Sequence, residues 1–299
     1  MMEKPMKSIN IKGRMLEIRR PLVMGIINVT PDSFHAGSRV DTSTVALRAG
    51  EMLAAGADIL DLGACSTRPG SDPVSAKQEM ERLLPALEAI RESYPDAVIS
   101  IDTFRACVAR ECVEDFGADI INDISGGDMD PEMWSAVADM KVPYVLMHTR
   151  GVPATMNGLN DYEDVVADVL RDLAFKTDRL RQLGVCDVII DPGFGFAKDV
   201  AQNYRLLAEL PAFSAIGAPI LVGVSRKRMI QTPVGAGADH EETLFGTVAA
   251  GTIAMMQGAD ILRVHDVKAC VAAVKVFDAY GSALPHPGNI ITQSHHHKL

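Results

Sequence analysis

Gly56-Ala57-Asp58-Ile59-Leu60, Gly117-Ala118-Asp119-Ile120-Ile121 and Gly258-Ala259-Asp260-Ile261-Leu262 are three copies of one joint, each closing a helix-like stretch and opening an apolar run. Gly184-Val185-Cys186-Asp187-Val188-Ile189 is a looser fourth copy. A glycine after a helical stretch suits the left-handed position that ends a helix. The β-branched run beyond it reads as a strand buried on both faces. The joint is therefore the helix-to-strand step of a βα repeat. Searching outward from it gives eight predicted strands, at 22–27, 58–62, 98–102, 119–122, 143–147, 187–191, 219–223 and 260–264. Amphipathic stretches long enough for crossover helices lie between them, for example 43–55, 75–93, 104–116, 161–183 and 241–257. Eight alternations imply a closed α/β barrel of the (β/α)8 type. The alternative, a doubly wound open sheet, expects a glycine-rich dinucleotide turn after its first strand. Asn28-Val29-Thr30-Pro31 stands there instead. Residues 8–11 and 15–18 flank Lys12-Gly13-Arg14 and read as a short β-hairpin capping the barrel bottom. The organisation expected is an N-terminal segment 1–20, a barrel 21–283 and a C-terminal tail 284–299.

The bulk composition agrees. A chain of 299 residues fits one barrel with short tails, and 47% apolar with 23% charged residues is ordinary for a chain with a sizeable core. A formal charge of −10 argues against general nucleic-acid binding, which requires a basic face, so an anionic substrate must meet a local basic cluster. Apolar runs such as 221–224 and 248–256 fall short of the roughly 20 residues of a membrane helix. The start, MMEKPMKSIN, lacks the apolar core of a signal peptide, so a cytoplasmic location is expected, with no membrane partner. Cysteines 65, 107, 112, 186 and 270 are odd in number and scattered, suggesting neither a disulfide framework nor a zinc cage. The run His295–His297 is set aside.

A parallel barrel carries its active site at the C-terminal strand ends. Those ends deliver Asn28, Ser66-Thr67-Arg68, Asp102, Asn122-Asp123, Met147-His148, Asp191, Ser225-Arg226-Lys227 and Arg263 with His265. Any one of them could be a loop residue capping a helix: Asp102 could cap a helix starting near Phe104, Asn122 could hold a turn, and Lys227 could be solvated. Eight polar deliveries to one mouth favour function.

The same segments carry a resemblance. Met24-Gly-Ile-Ile-Asn-Val-Thr-Pro-Asp-Ser-Phe34, Ser66-Thr-Arg-Pro-Gly70, Ile101-Asp-Thr103, Ile121-Asn-Asp-Ile-Ser-Gly-Gly127, Asp191-Pro-Gly-Phe-Gly-Phe196, Ser225-Arg-Lys227 and Arg263-Val-His-Asp266 resemble, in order, the signatures of the dihydropteroate synthase family. The similarity runs from about Pro21 to Tyr280. It implies a transferase that joins 6-hydroxymethyl-7,8-dihydropterin pyrophosphate to p-aminobenzoate, giving 7,8-dihydropteroate and pyrophosphate in folate biosynthesis.

The residue types suit such ligands. A pterin presents adjacent ring N–H and amine donors that one carboxylate can accept through two parallel bonds, the role given to Asp191. The resemblance implies Asp102 and Asn122 for the remaining ring nitrogens, and Lys227 for the carbonyl oxygen and a ring nitrogen. Phe196 and Met147 would flank the flat ring, Gly195 would let backbone approach it, and Arg263 could stack on it. His148 reads as a buried, hydrogen-bonded histidine. Asn28, Thr67, Arg68, Arg263 and His265 would take the pyrophosphate together with Mg²⁺, for which the Asn28 oxygen is a credible ligand because magnesium uses few protein oxygens beside substrate phosphates. Arg68, Lys227, Arg263 and His265 are the expected catalytic residues, with loops 29–39 and 64–73 excluding water. Thr67, Pro69, Lys227 and Arg228 would form the p-aminobenzoate pocket.

The chain departs from the family pattern in three places. His35-Ala36-Gly37-Ser38 stands where many relatives carry Asp-Gly-Gly, Arg228 where many carry Ser, and Cys65 where Glu is frequent. The competing activity on this barrel is methyltetrahydrofolate-dependent corrinoid methyl transfer, which releases no pyrophosphate and does not need the Ser66–Gly70 and Arg263–His265 cluster. Helix 241–257 is apolar or small around most of its circumference, so a homodimer through the late helices is expected.

Overall fold

A computed structural model of the protein describes residues 6–29, 42–65, 74–152 and 158–284. The hairpin is β1 (Lys7–Ile11) and β2 (Arg14–Ile18), paired antiparallel. Eight parallel strands follow: β3 (Leu22–Asn28), β4 (Ile59–Gly63), β5 (Ile99–Asp102), β6 (Ile120–Asp123), β7 (Tyr144–Met147), β8 (Val188–Asp191), β9 (Leu221–Val222) and β10 (Ile261–Val264). They run in the order β8-β7-β6-β5-β4-β3-β10-β9. A parallel bridge between Ile190 and Ile220, with Ile190 N donating to Pro219 O at 2.9 Å, brings β8 against β9 and closes the barrel. Helices α1 (Thr42–Ala54), α2 (Ala76–Ser93), α3 (Ala106–Glu114), α4 (Met133–Met140), α5 (Val165–Gln182), α6 (Val200–Ala208), α7 (Arg228–Val234), α8 (Glu241–Met256) and α9 (Val267–Ala283) complete the alternation.

The repeated joint has a structural reason. Gly56, Gly117, Gly184 and Gly258 all take positive φ, as a helix-ending glycine does. The aspartate two residues later, or three in the looser copy, is not yet strand; its carboxylate accepts a backbone N–H of a neighbouring element. Asp58 takes Val23 N at 2.8 Å, Asp119 takes Ile99 N at 2.8 Å and Asp260 takes Ile220 N at 2.8 Å, while Asp187 takes Asn10 N of the hairpin at 3.2 Å. Basic residues at the barrel bottom pair with three of them: Arg20 with Asp58, Lys12 and Arg91 with Asp119, and Lys7 with Asp260. Predicted strands 58–62, 119–122, 187–191 and 260–264 consequently begin one residue late, and 219–223 shrinks to Leu221–Val222 because the Ile220 N–H serves Asp260. Helix 161–183 starts at Val165, since the Asp164 carboxylate caps Val166 N and Ala167 N. Helix 104–116 shortens to Ala106–Glu114.

Two apolar clusters divide the core. Strand residues facing outward pack against the helices. Inside the barrel, Met24, Ile59, Val98, Ile120, Val145, Ile189, Leu221 and Ile261 form one cluster with Ile9 and Ile11 of the hairpin, so β1 and β2 close the bottom as a plug.

Candidate active site

Side chains in a strand alternate between faces, so the inward positions above that apolar layer follow by steps of two. They are Asp61 over Ile59, Ser100 and Asp102 over Val98, Asn122 over Ile120, Met147 over Val145, Asp191 over Ile189, Gly223 over Leu221 and Arg263 over Ile261. On five of the eight strands the barrel turns from apolar to polar within one step, the exceptions being Met147, Gly223 and Ile26, which stands over Met24.

Four of these residues form a bonded network. Arg263 Nε donates to Asp61 Oδ2 at 2.6 Å and Nη2 to Asp102 Oδ2 at 2.6 Å. Asn122 Nδ2 donates to the Asp61 oxygens at 3.3 and 3.2 Å. Asp61 has no solvent exposure. Burial works to lower the Arg263 pKa, but Asp61 and Asp102 overcome it and hold the guanidinium protonated more firmly than usual. Burial pushes the Asp102 carboxyl up, opposed by Arg263 and reinforced by Asp61. Asp102 does not cap α3: the Ala106 N–H is taken by Asp130 Oδ2 at 2.8 Å. Asn122 holds Asp61 and not a turn; the loop after β6 is tied by Asp123, which accepts from Ser125 N, Gly127 N and Tyr144 Oη. Asp61 was absent from the expected site. Its signal is a carboxylate in the middle of the doubly buried run Ile59-Leu60-Asp61-Leu62, which needs a partner.

Across the mouth, Asp191 pairs in register with Met147, and both are buried. Asp191 Oδ1 accepts from Gly193 N at 2.8 Å. Burial raises its pKa, with Lys227 the main opposing charge. Lys227 Nζ donates to Phe194 O and lies 4.7 Å from the centre of the Phe196 ring. Burial draws its pKa down to about 8, against the pull of Asp191. Gly195 adopts φ +79°, and a Cβ there would lie 3.0 Å from Lys227 Cδ, so the backbone reaches this lip only as glycine.

At the third side of the mouth, the His265 backbone N–H donates to Ser225 Oγ at 3.2 Å, and the hydroxyl lies 3.0 Å from His265 Nδ1. Arg226, between Ser225 and Lys227, turns away: at φ 56° its guanidinium makes two bonds to Asp266, at 2.8 and 2.7 Å. Arg228 opens α7 with an exposed side chain. Asn28 ends β3, exposed at the mouth. Its amide oxygen is a hard ligand of the kind Mg²⁺ accepts. Among the described residues no group of three His, Cys, Asp or Glu side chains could hold a metal ion. Thr67, Arg68 and Pro69, with most of loops 29–39 and 64–73, lie outside the described residues.

Comparison with known proteins places this geometry. A family model described as pterin binding enzyme matches residues 24–265. The dihydropteroate synthase of Synechocystis sp. is 44% identical over 264 residues, covering 87% of this chain and 90% of the relative. The Xanthomonas albilineans dihydropteroate synthase solved with 4-aminobenzoic acid superposes with a TM-score of 0.84 at 40% identity, covering 93% of this chain and 99% of that one. The structure of the X. albilineans enzyme in complex with 7,8-dihydropteroate gives 0.82 at 37% identity, covering 93% and 100%. The chain belongs to the dihydropteroate synthase family of pterin-binding enzymes.

Proposed function

We propose that the barrel mouth condenses 6-hydroxymethyl-7,8-dihydropterin pyrophosphate with p-aminobenzoate, in the cytoplasm and as a homodimer. The observation that carries the reading is the buried network of Asp61, Asp102, Asn122 and Arg263 facing Asp191 and Lys227. Asp191 accepts the pterin's paired donors, Asp102 and Asn122 meet ring nitrogens, and Lys227 donates to the carbonyl. Met147 and Phe196 flank the ring, with Gly195 giving the backbone room. The pyrophosphate lies against Asn28, Thr67, Arg68, Arg263 and His265, and p-aminobenzoate against Thr67, Pro69, Lys227 and Arg228.

The bond from the exocyclic methylene to oxygen breaks with its electron pair going to pyrophosphate. The arylamine lone pair then forms the new C–N bond, and a proton leaves the nitrogen. Arg263 and His265 oppose the charge that grows on the leaving oxygens, where fixed donors act most strongly. Asn28 would hold Mg²⁺ through its amide oxygen, and the ion would supply further charge neutralisation of the leaving group when bound.

The dimer reading is supported by an apolar face that α8 leaves exposed. Phe245 is 60%, Ile253 47% and Met256 54% exposed, and Val276 and Tyr280 of α9 are exposed as well. Such a patch marks an interaction surface. Light scattering should return twice the chain mass; a concentration-independent monomer overturns the dimer. Purified protein given both substrates should release pyrophosphate and lose that activity on chelation. Methyl transfer from methyltetrahydrofolate in place of pyrophosphate release would overturn the synthase reading.

A further inference from the structure

The turn after β8 carries the Gly195–Phe196 lip, and it is folded around a half-buried cation that the reaction does not use. Lys198 Nζ lies 3.0 Å from Gly193 O, 2.9 Å from Phe196 O and 3.1 Å from His148 Nδ1. An ammonium has three hydrogens, and here three acceptors meet them. Nδ1 can accept only from a neutral ring. Burial, reinforced by the charges of Lys198 and Lys176, drives the His148 pKa down to about 2 and keeps the ring in that state.

The turn cannot easily find another seat. Gly193 sits at φ +72°, where an added Cβ would lie 1.9 Å from His148 O, so the turn rests directly on the end of β7. Asn203 of α6 supports the far side, accepting from Gly195 N at 2.6 Å and donating to Asp199 O at 2.6 Å. From the mouth, Lys227 takes Phe194 O. Carbonyls of one turn are thus held by two lysines, Gly193 O and Phe196 O by Lys198 and Phe194 O by Lys227.

We propose that Lys198 is a positioning residue for the pterin: by binding Gly193 O and Phe196 O against His148 it fixes the N–H that orients the Asp191 carboxylate and the ring that covers the heterocycle. The inference rests on the pterin reading of the mouth. Loss of the ammonium leaves Phe196 O and His148 Nδ1 without that donor and Gly193 O with only the Phe196 N–H of its own turn, at 3.1 Å, so the lip is freer to shift. Of the residues proposed for p-aminobenzoate, Thr67, Pro69 and Arg228 belong to other segments of the chain and Lys227 keeps its own bond to Phe194 O, so p-aminobenzoate recognition is affected far less than the pterin. A purely structural lysine would lower stability without separating the two substrates.

The test is calorimetry with 6-hydroxymethylpterin, which has no leaving group, on wild type and on Lys198→Met, which keeps the side-chain length without the charge. Removal of a hydrogen-bonded charged group should raise the pterin Kd about 10- to 100-fold, while the KM for p-aminobenzoate stays within about twofold. A folded Lys198→Met with wild-type pterin affinity, or with both substrates weakened alike, overturns the inference alone. A wild type that does not bind the pterin overturns the reading of the mouth, and this inference with it. If Lys198→Met does not fold, a pair of His148 variants decides. His148→Leu removes one acceptor and should weaken the pterin selectively, whereas His148→Gln keeps an acceptor and should restore affinity. Equal affinities in that pair overturn the proposal.

Discussion

The two ends of the barrel interior are made by the same strands, two residues apart, and they differ in almost every physical respect. Ile59, Ile189 and Ile261 belong to an apolar layer sealed from below by Ile9 and Ile11. Asp61, Asp191 and Arg263, one step higher, are buried or nearly so and carry charge. The lower layer gains free energy by leaving water. In the upper layer burial costs free energy, which Arg263 partly offsets by serving two carboxylates at 2.6 Å each. A barrel of this kind keeps stability at one end and chemistry at the other, and substitutions along a single strand should separate the two.

The largest effect is expected on β10. Arg263→Ala removes a fixed donor from the leaving group, which by analogy lowers turnover roughly 10²- to 10³-fold. It also leaves Asp61 and Asp102 buried without their cation, a loss of about 3–5 kcal/mol in stability. Steady-state kinetics beside a denaturant titration reads both, and near-normal turnover in a folded variant would remove Arg263 from the chemistry. Two residues lower, Ile261→Ala should cost about 2–5 kcal/mol in stability through a cavity in the apolar layer. Its turnover at a temperature where it stays folded should match wild type; a specific loss of turnover would break the division between the layers.

On β8 the same step sharpens the contrast. Asp191→Asn keeps an oxygen for Gly193 N but cannot accept both pterin donors. About 1.5–3 kcal/mol of pterin affinity should go, with melting little changed. Unchanged binding by calorimetry would take Asp191 out of the pocket.

The barrel was legible because the helix-to-strand joint repeats and each copy needs its glycine and its aspartate. The mouth was legible wherever a polar residue ends a strand, as at Asp102, Asn122, Asp191 and Arg263. Asp61 was not, because it lies mid-strand among residues apolar on both faces, where no alternation marks the inward side. Arg226 and Lys227 are neighbours that sequence places equally at the mouth; only the left-handed turn at Arg226 sends one to Asp266 and the other to Phe194 O. Lys198 was hidden for a related reason. A lysine in a loop is usually solvated, and one of the three acceptors that hold this one belongs to His148, 50 residues away in sequence.

That half-buried lysine gives the finest test of the division, because its effect is read per unit of pH. Burial lowers the Lys198 pKa to about 7, opposed by Asp191 and assisted by Lys227 and Arg150. In the unfolded chain a lysine titrates near its ordinary value of about 10.4. Below about pH 7 both states hold the proton, and the cost of burying the charge is present in full. Between about pH 7 and 10 the folded state has released the proton and the unfolded state has not, so unfolding takes one up and stability rises with pH, by at most about 1.4 kcal/mol per unit. Lys198→Met lacks this term, whereas His148, Asp191, Lys227, Arg150, Asp172 and Lys176 remain in both proteins. The difference in unfolding free energy, wild type minus variant, should therefore be flat below neutrality and climb above it in urea titrations. Pterin affinity should move the other way, since the neutral amine offers two hydrogens to three acceptors. A flat difference across the whole range would mean that Lys198 keeps its ordinary pKa and that the turn is not built on a desolvated ammonium. Lys227, with its pKa drawn down to about 8, titrates in both proteins. A climb in the stability difference matched by affinity that falls more steeply in wild type than in Lys198→Met would therefore show Lys198 favouring the pterin at the expense of the fold, which no residue of the apolar layer below can do.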